Sequence, residues 1–326
     1  MTTANWDKVF KASEKVEHEK VTFQNNYGIE IVADLYKPLN AENQLPALAV
    51  SGPFGAVKEQ SSGLYAQTMA ERGYLTIAFD PSFTGESSGS PRRVASPDIN
   101  TEDFLAAVDY LGGRDDVNAD QIGVIGICGW GGMALNAAAA DPRIKATLSS
   151  TMYDMSRIAG NGYFDEQDSA EERNKQRQQL AEQRTKEYAQ GSFERAGGVP
   201  EEVPSDAPEF LKGYHAYYKT PRGFHERSGN STDGWNVTGT QAFANTRFMH
   251  YIDEIENAVL ILHGDQAHSL YFGKDTYKKL GQGINPANKK LQIVEGANHT
   301  DLYDGGDSNF IPWNDIEQFF NENLSK

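Results

Sequence analysis

The alternation of apolar and polar positions divides the chain into three stretches. In the first, short apolar runs alternate with helical patterns. Residues 21–24 and 30–36 have strand character and are separated by Asn25-Asn26-Tyr27-Gly28, a hairpin turn signal. Pro-Ala-Leu-Ala-Val-Ser at 46–51 is a short apolar run of buried-strand type. Helical spacing covers 63–72 and stops at Gly73; 74–79 is the next strand, and 80–91 is a loop rich in Gly, Ser and Pro. A second helical pattern covers 101–111, with Thr101 as the expected N-cap and Asp103 in the first turn. Strand 122–127 then runs into a tight turn, a helix ends near Asp141-Pro142, and 145–150 is another strand. Strands alternating with helices imply right-handed crossovers and a mostly parallel sheet, with the two leading strands as an antiparallel edge.

The pattern breaks in the second stretch, from about 151 to 257. Residues 166–190 are highly charged and helix-compatible, 197–208 is a Pro/Glu/Gly linker, 210–218 is aromatic, and 228–240 is loop-like. The charged segment reads as a solvated helix face. Sheet character returns at 258–263 and 291–295, and an amphipathic helix over Trp313–Leu324 closes the chain. The expected organisation is an α/β core formed by 1–150 and 258–326, with 151–257 inserted as a helical cap over one end of the sheet.

Composition narrows the function. A net charge of −16 argues against nucleic-acid binding, which needs basic patches, and against docking on anionic lipid. The single cysteine excludes an intramolecular disulfide framework and a cysteine-based zinc site. The start, Met-Thr-Thr-Ala-Asn-Trp-Asp, has neither the basic nor the apolar segment of a signal peptide. No apolar stretch is long enough to span a membrane. The expectation is a cytoplasmic protein that uses no metal or organic cofactor and acts on a small molecule, with its oligomeric state left open.

Ligands of open parallel sheets bind outside the carboxyl ends of the strands, so the chemistry is sought there. After strand 122–127 stands Gly126-Ile127-Cys128-Gly129-Trp130-Gly131-Gly132. Glycines crowd a turn that strains the backbone, and a side chain at such a corner stands at a helix N-terminus, where the dipole favours a thiolate. Cys128 is therefore the expected nucleophile. After 291–295, Gly296-Ala297-Asn298-His299 places His299 as the general base. After 258–263, Gly264-Asp265-Gln266-Ala267-His268 offers Asp265 as the acid that orients the base, although Ala267 holds the more usual position; Asp154, after 145–150, is the rival. After 46–51, Gly52-Pro53-Phe54-Gly55 supplies the Phe54 amide, which with that of Gly129 would form an oxyanion hole. Phe210, Tyr214, Tyr217 and Tyr218 either line an acyl pocket or form the core of the cap.

Strand order, elbow, acid loop and late histidine together resemble the α/β-hydrolase superfamily. The cysteine in Gly-x-Cys is similar to dienelactone hydrolases. Lys58-Glu59-Gln60, the elbow itself, Ser150-Thr151-Met152-Tyr153-Asp154-Met155 and His263-Gly264 look like a bacterial dienelactone-hydrolase-like group, and fungal polyketide thiohydrolases look related. Trp130 departs from the small residues that the superfamily elbow prefers. The resemblance implies hydrolysis of small esters, lactones or thioesters through an acyl-cysteine intermediate. The alternatives are a non-catalytic ligand-binding protein on the same fold, or an acyltransferase.

Overall fold

The computed structural model describes residues 6–39, 41 and 43–324. The first five residues, on which the reading of the N-terminus partly rests, lie outside them. The strands are β1 (Val16–Gln24), β2 (Glu30–Pro38), β3 (Leu45–Ser51), β4 (Leu75–Phe79), β5 (Val117–Ile127), β6 (Ile144–Ser150), β7 (Ala258–Gly264) and β8 (Lys289–Val294). They form one sheet in the order β1-β2-β4-β3-β5-β6-β7-β8. β1 pairs antiparallel with β2, β2 antiparallel with β4, and the remaining pairs are parallel. This is the α/β-hydrolase fold, with the expected antiparallel edge.

The central strands are buried on both faces, which is why they read as continuous apolar runs rather than alternating ones. α2 (Ile99–Gly112) and α3 (Gly129–Ala140) cover one face with Phe104, Leu111 and Met133. α1 (Ser61–Ala70) and the C-terminal helix (Trp313–Leu324) cover the other with Tyr65, Met69, Ile316 and Phe320. The C-terminal helix has the expected boundaries. α2 begins two residues earlier than its pattern suggested: Asp98 is the N-cap, and Thr101 lies within the helix, its hydroxyl turned back to the Pro97 carbonyl at 2.6 Å.

Between β6 and β7 the chain leaves the sheet and builds a helical cap from α4 (Met155–Asn161), α5 (Ala170–Gln190) and α6 (Glu209–Tyr218). α5 is the charged segment. Ser169 caps it by accepting from the Glu172 amide, and Glu187 is its one buried residue. With so little to bury, α5 contributes a solvated outer wall. α6 carries its aromatic residues inward.

The cap is tied to the core through buried charge. The Lys58 ammonium meets Glu59 at 2.6 Å, Asp80 at 3.1 Å and Glu86 at 2.5 Å, and Arg227 of the insertion reaches the same Glu59 at 2.6 Å. Asp80 braces the loop that follows β4, accepting from the Lys58 and Glu86 amides at 2.8 Å each. Burial works against the Lys58 charge, but Asp80 and Glu59 outweigh it and hold the ammonium protonated well above its ordinary range. Removing one member of a buried ion cluster strands the others. Lys58→Met is therefore expected to cost on the order of 3–5 kcal/mol, read as a fall in the urea midpoint. A midpoint equal to wild type would show that the cluster does not hold the fold.

Candidate functional site

The site is built at the end of β5. Cys128 adopts φ 58 and ψ −126, a strained geometry for a side chain with a Cβ, and α3 starts at the next residue. Two close approaches make the turn possible. A Cβ on Gly126 would lie 2.1 Å from the Trp130 carbonyl oxygen, and one on Gly52 would lie 2.2 Å from that of Ile127. Trp130 is accommodated by turning its indole into the core, where it is almost fully buried and packs 5.2 Å from the Phe54 ring.

The elbow aims Cys128 into a cavity of about 260 Å³. Its wall is mostly aromatic: Phe54, Tyr153, Tyr163, Tyr214, Trp235 and Tyr303. Cys128 is 5% exposed and His299 3% exposed. The Phe54 and Gly129 amides, expected to hold an oxyanion, both lie beside the Cys128 sulfur, where they favour its anionic form. They converge on one point, the arrangement that an oxyanion hole requires. The Phe54 loop is held from the cap. The Asn230 side chain donates to the Phe54 carbonyl at 2.6 Å, and the Asn230 amide and Ser228 hydroxyl donate to the Gly55 carbonyl at 3.2 and 2.9 Å.

His299 lies beside this point without touching the sulfur. Its Nε2 is 3.0 Å from the Tyr303 hydroxyl, and Tyr303 in turn hydrogen-bonds Cys128. Its Nδ1 has two hydroxyl neighbours, Ser269 at 2.6 Å and Thr151 at 2.9 Å. Thr151 can give its own proton to the His299 carbonyl at 3.3 Å, leaving its oxygen free to accept Nδ1–H. That assigns Nε2 as the proton-accepting nitrogen, facing Tyr303.

Among the described residues no carboxylate bonds His299. Asp265 is exposed and accepts from the Gly296 amide at 2.7 Å, tying together the loops that follow β7 and β8. Asp154 caps α4, accepting from the Ser156 and Arg157 amides. Neither acts as the expected orienting acid, because each carboxylate already satisfies main-chain donors away from the imidazole. His268 shares a hydrogen bond with Tyr153 and stacks on Phe210 at 4.5 Å, and the fully buried His263 accepts from the Met152 amide at 3.1 Å. Tyr303, Ser269 and Asn230 are the residues that sequence reasoning missed. Tyr303 left one trace, its four-residue spacing from His299, which a single helical turn converts into contact.

The expected thiolate is not formed. Burial pushes the Cys128 thiol above its ordinary range, and the hydrogen bonds from Tyr303, Phe54 and Gly129 only partly offset this. Burial, with His268 and His263 adding to it, holds His299 far below the ordinary imidazole range. Thiol and imidazole both rest neutral. Among the described residues no group of three or more His, Cys, Asp or Glu side chains is placed to hold a metal ion. No helix among them is long and apolar enough to cross a membrane.

Fold and site together define an α/β-hydrolase-fold enzyme of the esterase or peptidase type. The chain belongs to the X-Pro dipeptidyl-peptidase (S15) family, whose profile matches residues 27–283. It is 53% identical to the uncharacterized protein PA2218 of Pseudomonas aeruginosa, over 99% of this chain and 85% of the relative. The crystal structure of PA2218 superposes with a TM-score of 0.93, covering 99% of this chain and 98% of that one. The uncharacterized protein YcjY of Escherichia coli is 34% identical over 88% of this chain and 93% of its own length. The α/β hydrolase GrgF from Penicillium sp. sh18 shares the fold at 21% identity, with a TM-score of 0.74 over 95% of this chain and all of that one.

The family match overturns the dienelactone-hydrolase-like assignment and its acyl-cysteine cycle. S15 is a family of serine-type peptidases, in which an oxygen nucleophile acts within a Ser-His-Asp network. The electrostatics point the same way, since the nucleophilic form of a cysteine is the thiolate, and here the thiol rests protonated.

Two outcomes follow. Alkylation of Cys128 by iodoacetamide is expected to be slow at neutral pH and to climb only above the free-thiol range of about 8.5. A labelling rate already on its plateau at neutral pH contradicts the assignment. The second outcome concerns stability. Burial lowers His268 to about 4 and His263 to about 3, and His299 is depressed as well. Unfolded imidazoles take up protons around pH 6.5, so stability is lost as pH falls from there toward the folded values. The melting temperature should drop between about pH 7 and pH 5, and His268→Gln should flatten the slope by one proton. A melting temperature constant over that interval would contradict the neutral burial of these rings.

Proposed function

We propose that this protein hydrolyses an ester or peptide-like bond of a small molecule whose apolar acyl portion fills the aromatic cavity. The observation that carries the reading is the convergence of the Phe54 and Gly129 amides at the cavity's end, one hydroxyl away from His299. The substrate carbonyl oxygen takes the place of the Cys128 sulfur between these amides. A water at the Tyr303 edge attacks the carbonyl carbon, and its proton passes through the Tyr303 hydroxyl to Nε2 of His299. The oxyanion collapses, the acyl bond to the leaving group breaks, and His299 returns the proton to the departing atom. Ser269 and Thr151 hold the ring in the tautomer this requires. Segment 151–257 acts as the cap that closes the cavity.

The family description names X-Pro dipeptidyl-peptidase activity. A dipeptide with a free amino terminus brings an ammonium group that needs an anionic partner. Among the described residues lining the aromatic cavity none is acidic. Uncharged esters and amides fit it better.

The test is a pair of variants on an ester panel. His299→Ala is expected to lose about 10²–10⁴ in turnover, the usual contribution of a general acid–base. Cys128→Ala should keep ester cleavage within about tenfold of wild type. Cys128→Ser, which puts a hydroxyl at the elbow, should remain active. An acyl group trapped on Cys128 by intact-mass spectrometry, together with an inactive Cys128→Ala, would falsify the oxygen-nucleophile reading.

A further inference from the structure

Residues 52–60 link β3 to α1 and carry the Phe54 amide near one end and Lys58-Glu59-Gln60 at the other. A stretch of the insertion lies along this loop in the opposite direction. Asn230 and Ser228 hold Phe54 and Gly55, Arg227 meets Glu59 at 2.6 Å, and the Gln60 side chain donates to the Gly223 carbonyl at 2.5 Å. Arg227 directly precedes Ser228, so a shift of the guanidinium is carried into the residues that hold the Phe54–Gly55 loop.

A third piece of chain closes over Arg227. Residues 6–13 form neither helix nor strand, yet they are fastened to the core along their length. The nearly buried Lys8 ammonium meets the buried Asp34 carboxylate of β2 at 3.0 Å. The Val9 amide donates to the Glu59 carbonyl at 3.0 Å. The Gln67 side chain of α1 accepts from the Ser13 amide and donates to the Lys11 carbonyl, each at 3.0 Å. Phe10 packs on Gly63, where a Cβ would lie 2.8 Å from its ring. With Lys8 and Val9 fixed, Asp7 reaches Arg227 at 2.7 Å. One guanidinium nitrogen thus gives a hydrogen to Asp7 and another to Glu59. Burial opposes the Asp7 carboxylate, but Arg227 and Lys8 outweigh it and hold the group ionised far below the usual carboxylate range.

We propose that residues 6–13 are a strap that sets the Phe54 amide of the oxyanion hole, with Asp7 and Arg227 as its positioning residues. The inference rests on the hydrolase reading above, in which that amide holds the developing oxyanion. Asp7 fixes Arg227 from outside, and Arg227 fixes the stretch that grips the Phe54–Gly55 loop. Among the described residues of the strap none lines the aromatic cavity. Loosening it therefore leaves substrate binding in place and misplaces a donor that counts most when charge develops on the carbonyl oxygen, so the loss falls on kcat rather than KM.

The experiment uses the full chain. Asp7 is exposed, so Asp7→Ala leaves the core untouched. It is expected to lower kcat on an aromatic ester by about fivefold with KM unchanged, the scale of one partly exposed ion pair. Asp7→Glu restores the carboxylate and should recover most of the loss, whereas Lys11→Ala, at another exposed position of the strap, should match wild type. Lys8→Met loosens the strap at its buried anchor and should act in the same direction as Asp7→Ala, more strongly. Amide hydrogen exchange is followed in the same proteins. It should quicken by about fivefold at 54–56 and 228–230 in Asp7→Ala while β5 keeps its wild-type rate. Selective quickening in a protein that cleaves no ester leaves the strap standing and removes the hydrolase reading. Selective quickening with an unchanged kcat on a cleaved ester overturns the positioning role. Exchange at 54–56 and 228–230 that stays at the wild-type rate in folded Asp7→Ala and Lys8→Met overturns it as well, as does quickening spread equally over β5.

Discussion

The backbone of residue 128 is the constraint from which the site follows. A positive φ at a residue with a Cβ persists only where the surroundings over-determine it. Here β5 and α3 are each locked by the buried sheet and core, and two glycines let carbonyl oxygens pass where a Cβ would collide. Once the corner is fixed, the Gly129 amide is the first donor of α3 and must point at the side chain of residue 128. The adjacent β3 delivers the Phe54 amide to the same point. His299 arrives on the loop that follows β8. The geometry of the site is thus set by the ends of the strands.

Two electrostatic regimes lie close together. Around Lys58 the core buries opposite charges in contact, and the carboxylates keep the ammonium protonated. Around His299 it buries neutral groups only, with hydroxyls where a triad would place an acid. A carboxylate behind the imidazole would stabilise a cation during turnover. The Ser269 and Thr151 hydroxyls orient the ring but carry no charge, so His299 remains a poor acceptor of a lasting proton. Such a ring suits a relay in which the proton passes on quickly to the leaving atom.

The features legible in the sequence were those with local causes. Glycine density around Cys128, the apolar run before it and the small-residue helix after it announced the elbow, and position after the last strand announced His299. The Phe54 and Gly129 amides followed from backbone order alone. Asp265 misled because its role depends on a loop path: directly after Gly264, its carboxylate turns to the Gly296 amide instead of the imidazole. The thiolate misled because the helix-dipole argument ignores desolvation, which dominates at a buried sulfur. Asn230 was invisible for another reason, since contact between distant segments leaves no periodic trace, and Tyr303 left only its four-residue spacing from His299. The family assignment went astray because the cysteine weighed more heavily than the framework that carries it.

The hydrogen bonds from Asn230 and Ser228 to the Phe54–Gly55 loop bear on how this architecture can diversify. They make the position of the Phe54 amide the joint product of two parts of the chain distant in sequence. A cap exchanged wholesale for that of another hydrolase would bring a new pocket wall but lose the ties that hold this loop. Substitutions in the cap are therefore expected to be tolerated unevenly: most of the solvated α5 touches nothing in the site, whereas Ser228 and Asn230 hold the Phe54–Gly55 loop in place.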